Sequence, residues 1–159
     1  MRKKIFFFLI LGFASQASFA SQYDTIDDYS EIIQRLFVLD SLEGKEEKVK
    51  SWIEDGVDIN QKIDGITALL VAVKEEKKKI VKVLLENKAD VNLLYENDFN
   101  VLHVAAMGNS KEIVEILLKA GAKLGTKTRA GETAYDISKR EGKKNLLSLL
   151  NESKRVNFD

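Results

Sequence analysis

His103 is the single histidine in a sequence of 159 residues. It stands in "NVLHVAAMGNSKEIVEILLKAGA", Asn100 to Ala122, just ahead of an apolar run. An imidazole there could do three kinds of work. As a general base it would need a serine or threonine within hydrogen-bond reach, and a third group to orient the ring. As a metal ligand it would need further histidines, thiolates or clustered carboxylates. As scaffold it would need only backbone partners. The sequence holds no second histidine and no cysteine. Its carboxylates show no clustering, and no serine is marked as a nucleophile. A Ser/His hydrolase is therefore the weaker alternative. The residues point to a non-enzymatic chain with no catalytic residue, no metal site and no cofactor.

Composition narrows the class further. At 45% hydrophobic and 31% charged residues, the chain reads as one ordinary globular domain. No disulfide framework can form without cysteine. The first twenty residues differ from the rest. A basic head, "MRKK", precedes the apolar "IFFFLILGFA", and "SQASFA" carries small residues at Ser18 and Ala20. That is the layout of a cleaved signal peptide over residues 1–20. Its apolar core is about half the length a spanning helix needs, so no membrane attachment is expected after cleavage. The expected location is exported, periplasmic or secreted. Losing Arg2, Lys3 and Lys4 leaves 22 basic against 25 acidic residues. A mildly acidic chain is a poor nucleic-acid binder.

What would position His103 is a repeat. Thr67, Asn100 and Thr133 recur every 33 residues, opening "TALLVAV", "NVLHVAA" and "TAYDISK". Ile80, Ile113 and Leu146 keep the same interval in "KKIVKVLLENKADVN", "KEIVEILLKAGAKLG" and "KNLLSLLNES". A degenerate earlier copy is "KEEKVKSWIEDGVDIN", where Val49, Trp52 and Ile53 match Val81, Leu84 and Leu85. Each copy reads as a helix pair. Thr67, Asn100 and Thr133 suit an N-cap. Ala72, Ala105 and Ser138 put a small residue on the packing face of the first helix. Ile113, Val114, Leu117 and Leu118 form one apolar stripe on the second. Gly121 permits the left-handed turn that ends it. A single pair cannot bury its stripe, but a stack can.

This pattern resembles the ankyrin repeat. The matching phrases are "DGITALLVAV…IVKVLLENKADVN", "NDFNVLHVAAMGNSKEIVEILLKAGAK" and "AGETAYDISKREGKKNLLSLL", over roughly residues 37–150. The resemblance implies an all-α solenoid of about four stacked helix hairpins with terminal capping repeats. Its domain would cover residues 21–151, in units near 28–60, 61–93, 94–126 and 127–151, with 152–159 as a flexible tail. His103 falls on the family's structural histidine, which bonds near the helix start and ties one hairpin to the next. The family's proline is Ala68, Val101 and Ala134 here. Two family glycines are Glu76 and Lys88, which would then need positive φ at about 1 kcal/mol each. Local propensity alone would run "TALLVAVKEEKKKIVKVLLE" as one helix; the repeat register breaks it near Glu76.

The resemblance also implies a binding role without catalysis, on the hairpin tips and the concave face of the inner helices. Ile66, Phe99 and Glu132 form one row and Lys74, Met107 and Arg140 another, flanked by Ile63, Tyr95, Glu96 and Arg129. Apolar Ile66, Tyr95, Phe99 and Met107 would contact a protein partner, although Ile66 and Phe99 could equally pack hairpin on hairpin. Lys74, Glu132 and Arg140 would form the rim. A monomeric, exported protein-binding module is expected, holding or inhibiting another exported protein. The alternative is a secreted effector that binds proteins of another cell. Trp52 belongs to the core by register, "KEEKKK" reads as a solvated helix end because two glutamates sit inside it, and Ile32, Ile33, Leu36 and Phe37 are expected to cover the first end of the stack.

Overall fold

A computed structural model of the protein describes residues 26–156, with side chains over 30–151. The expected signal peptide, residues 1–20, and the last residues of the expected tail, 157–159, lie outside the described residues. The chain divides into two units after Ile32, and the unit from Ile33 onward carries the repeats.

Eight helices occupy the described residues: α1 (Ile26–Glu43), α2 (Glu46–Glu54), α3 (Ala68–Lys74), α4 (Lys78–Glu86), α5 (Val101–Met107), α6 (Lys111–Lys119), α7 (Ala134–Arg140) and α8 (Lys144–Val156). A 3₁₀ turn lies at Glu96–Asp98. The inner helices α3, α5 and α7 pack in a row, and α2, α4, α6 and α8 form a second row. Each inner helix packs on the outer helix after it. This is the stack of helix hairpins that the 33-residue period requires. Ile80, Ile113 and Leu146, each at most 1% exposed, join one hydrophobic core with Val81, Leu84, Val114 and Leu117. The small residues Ala72, Ala105 and Ser138 are buried where the inner helices approach one another.

The outer helices end alike. In α2, α4 and α6 the last turn accepts two backbone bonds from the residues just past the helix. The pairs are Gly56 to Ile53 with Val57 to Trp52, Lys88 to Leu85 with Ala89 to Leu84, and Gly121 to Leu118 with Ala122 to Leu117. The pivot residue needs positive φ each time: +83° at Gly56, +67° at Lys88 and +87° at Gly121. Two copies use glycine, and the middle one strains a lysine. The α3–α4 break falls at Glu75–Lys77, with Glu76 at φ +51°. Glu76 has compensation, because its carboxylate accepts the Asn109 N–H of the next unit at 3.1 Å. The Lys88 turn has no bond of that kind to offset its strain. Lys88→Gly is therefore expected to raise the melting temperature by a few degrees, for a net gain of about 1 kcal/mol. A thermal scan showing no rise would remove the strain assigned to this turn.

Three expectations are revised. Trp52 packs against the core as expected but is only half-buried, with its indole N–H donated to the buried Asp40 Oδ2 at 2.9 Å. Leu36, expected on the covered face of α1, is 38% exposed, while Phe37 beside it is buried. The backbone of α8 stays helical to Val156, through residues expected to open the tail.

Candidate functional site

Each inner helix starts on a side-chain cap. Thr67, Asn100 and Thr133 sit in the extended region and accept the backbone N–H of Leu70, His103 and Asp136. At the second and third caps the bond is returned. His103 Nδ1 accepts the Asn100 N–H at 3.1 Å, and Asp136 accepts the Thr133 N–H at 2.9 Å. Leu70 has no acceptor for this purpose; the Thr67 hydroxyl instead pairs with the Tyr95 hydroxyl at 2.7 Å.

The geometry sets the tautomer of His103. Nδ1 faces a donor, so the neutral ring carries its proton on Nε2, which donates to the Thr126 carbonyl at 3.0 Å. The ring is 1% exposed, and burial pushes its pKa below the usual value. Both nitrogens are spent on backbone partners, 3 and 23 residues away from the ring. No ring nitrogen is left to take a proton from a serine. His103 thereby joins the start of α5 to the loop after α6. The described residues also contain no group of three His, Cys, Asp or Glu that could hold a metal ion.

The hairpins that precede the inner helices differ in build. Ile63 and Ile66 exchange both backbone bonds, at 2.8 and 3.0 Å, around Asp64 and Gly65 at φ +51° and +80°. Two consecutive positive φ values make this a type I′ turn, and it points Ile66 outward at 36% exposed. In the next hairpin the Tyr95 N–H donates to the Phe99 carbonyl at 2.7 Å, and Asn97 and Asp98 take positive φ. Tyr95 is half-buried, with the Lys62 ammonium 5.1 Å from its ring centre; burial raises its pKa. Phe99 is half-buried and meets the His103 ring edge-on at 5.6 Å. Glu96 is exposed. The third hairpin is tied to the second by the Arg129 N–H on the Asn97 carbonyl at 2.9 Å. The Arg129 guanidinium lies 4.0 Å from the Asp98 carboxylate. Met107 and Lys74 are exposed at the ends of α5 and α3. Arg140 pairs with Glu132, which joins the two expected rows in the last unit.

The structure thus brings Ile66, Met107, Lys74, Glu96, Arg129 and Arg140 to the surface, half-buries Glu132 and turns Tyr95 and Phe99 partly inward. Leu94, 45% exposed beside Tyr95, lies outside the expected set. No periodicity marks it, since it sits in a loop. A second signal that helical spacing passes over is the phrase "DIN…DVN". The Asn60 side chain accepts the Asp90 N–H at 2.8 Å, and Asn92 accepts the Lys123 N–H at 2.9 Å while donating to the Gly121 carbonyl. These amides tie each unit to the next.

A family model described as ankyrin repeats, in three copies, matches residues 37–128. Among curated proteins, the chain is 34% identical over 97 residues to BRCA1-associated RING domain protein 1 of Caenorhabditis elegans, which is 60% of this chain and 14% of that protein. It is 34% identical over 111 residues to ankyrin repeat and KH domain-containing protein mask-1 of the same organism, covering 69% and 4%. It is also 34% identical over 74 residues to human protein fem-1 homolog C, covering 46% and 12%. The chain therefore spans only a small part of each of these relatives.

Proposed function

The chain belongs to the ankyrin-repeat family, whose stacked repeats form protein–protein interaction modules, and from that premise we propose that this one binds a protein partner along its hairpin tips and inner-helix ends. One observation carries the reading. Among the described residues six large hydrophobic side chains are exposed, and none lies on the outer helices α2, α4, α6 or α8. Three of them, Ile66, Leu94 and Met107, belong to the hairpins and the inner row. Exposed apolar groups set among charges are what a partner can desolvate, and such points carry most of the energy of an interface. Phe99 and Tyr95 stiffen the hairpins behind this stripe. Lys74, Glu96, Arg129, Glu132 and Arg140 supply a charged rim that governs orientation and on-rate more than affinity. The outer face is already laced by pairs between units, Lys78 with Glu112 and Lys79 with Glu46.

The partner in this reading is another exported protein, held or inhibited in the same compartment, and the chain performs no catalysis of its own. Crosslinking in the native compartment would identify it. Against that purified partner, Ile66→Ala with Met107→Ala is expected to weaken binding at least about tenfold. The circular dichroism spectrum should not change, because neither side chain is buried. Lys119→Ala on the outer face should leave the affinity alone. Affinity that survives the double replacement would sink the assigned stripe. A partner found in another cell rather than in the producer's own compartment would turn the reading into that of an effector.

A further inference from the structure

The other three exposed large hydrophobics are all on one helix. Leu36, Leu39 and Leu42 of α1 are 38%, 46% and 39% exposed. At 3.6 residues per turn they fall within about 60° of Leu39 on either side. The opposite side of the same helix is spent on the core, through Gln34, Phe37, Val38 and Ser41. So α1 is apolar on both faces, which a solvated end of a repeat stack is not: terminal units normally turn a polar face outward. α2 touches α1 away from the stripe, by Trp52 on Asp40, and the first hairpin meets it only at its N-terminal end, by Asp64 on Arg35, so neither covers the leucines.

We propose that this face of α1 pairs with the same face of a second copy of the chain, antiparallel about a two-fold axis passing by Leu39. The spacing of the residues is what selects a second copy over another occupant. Leu36 lies three positions before Leu39 and Leu42 three after. Arg35 lies four before and Glu43 four after, both on the exposed face. An antiparallel two-fold through Leu39 therefore sets Leu39 against its own copy, Leu36 against Leu42, and Arg35 against Glu43, twice. Isologous contacts need this self-complementarity, and a helix face rarely has it in both its apolar and its charged residues. The rim is already composed of opposite charges. Arg35 grips Asp64 at 2.6 and 3.4 Å, and Glu43 is bound by Lys45. Bringing Arg35 beside Glu43 of the second copy completes an alternating four-charge cluster at each end of the leucine contact. A contact of one helix on one helix is small, so the dimer is a weak one, populated in about the micromolar range or above. The monomer expected from the sequence is then the dilute form. The three leucines are no part of the hairpin stripe, so the pairing stands or falls apart from the partner-binding reading.

Sedimentation equilibrium of the full chain over a wide concentration range tests this. The mass is expected to rise from monomer to dimer and no further, because the contact is closed. Leu39→Lys puts two ammonium groups on the axis and should raise the dimer dissociation constant by about a hundredfold or more, with an unchanged helical spectrum. The charge swap separates this contact from any other. Arg35→Glu alone and Glu43→Arg alone should each weaken the dimer, and Arg35→Glu with Glu43→Arg should recover part of the loss, since each new glutamate again faces an arginine of the second copy while standing beside Asp64, and each new arginine beside Lys45. A chain that stays monomeric at every concentration overturns the proposal. So does a dimer indifferent to Leu39→Lys, which would form through another surface, and so does a double swap that dimerises no more tightly than either single swap.

Discussion

Ile113→Ala is expected to lower the stability of the chain by about 2–5 kcal/mol. Ile113 is 1% exposed on α6, the outer helix that packs on α5, α4 and α8 together. Truncation removes three carbons from a position with no solvent route to refill it, so a transfer loss and a cavity add. A domain of this size has a total stability of about 5–15 kcal/mol, so the loss is a large fraction of the whole. Repeat stacks also depend on interfaces between neighbours, and Ile113 serves those on both sides. The urea midpoint should fall steeply, and the slope should fall too if one end of the stack unfolds first. A shift below about 1 kcal/mol would mean that this position is not part of a common core.

The second large effect concerns His103. Replacing it with alanine leaves the buried Asn100 N–H and the part-buried Thr126 carbonyl without their partners. An unpaired buried group costs about 1–3 kcal/mol, so the pair with the lost ring volume should cost roughly 3 kcal/mol or more. The pH dependence identifies the cause. Burial holds the folded pKa of the ring below the ordinary value of about 6.5. Above that pH both states are neutral and the contribution is complete. As pH falls below it, the unfolded chain takes up a proton that the folded ring resists, and stability is lost until the folded pKa is passed. Protonation at Nδ1 also turns an acceptor toward the Asn100 N–H into a clash of two donors. His103→Gln can keep an acceptor and a donor but has nothing to titrate. Its stability should approach that of the native protein as pH is lowered through this window. A stability gap between the two that is flat with pH would show that the ring acts by volume alone.

The periodicity of the sequence carries the helices and the core. Thr67, Asn100 and Thr133 mark helix starts because a cap needs a short oxygen-bearing side chain there and little else. Ile80, Ile113 and Leu146 mark the core because stacking repeats the same contact. The interruption at Glu76 is legible only by register, since every residue around it favours a helix; tertiary packing overrides that preference. What depends on a partner far along the chain is not legible. Tyr95 looks like an exposed aromatic until Thr67 is placed beside its hydroxyl. Trp52 sits at a core register, yet it is only half-buried, and the buried carboxylate that takes its N–H, Asp40, stands twelve positions away. Leu36, Leu39 and Leu42 have helical spacing like any buried stripe, and only the packed structure tells which side of α1 is covered. Asn60 and Asn92 read as loop residues, because their bonds run to backbone groups about thirty positions away.

Those two asparagines make the stack a ruler. Their amides are uncharged, and they grip backbone rather than side chains. Neither salt nor mild acid alters such a bond, whereas the lysine–glutamate pairs on the outer helices weaken as ions screen them. The interval between one unit and the next is thus held by bonds that dissolved ions do not screen. Whatever grips Ile66 and the tips above it must carry its own anchors at that pitch, and changing conditions can tune how strongly it holds but not the measure it is held to.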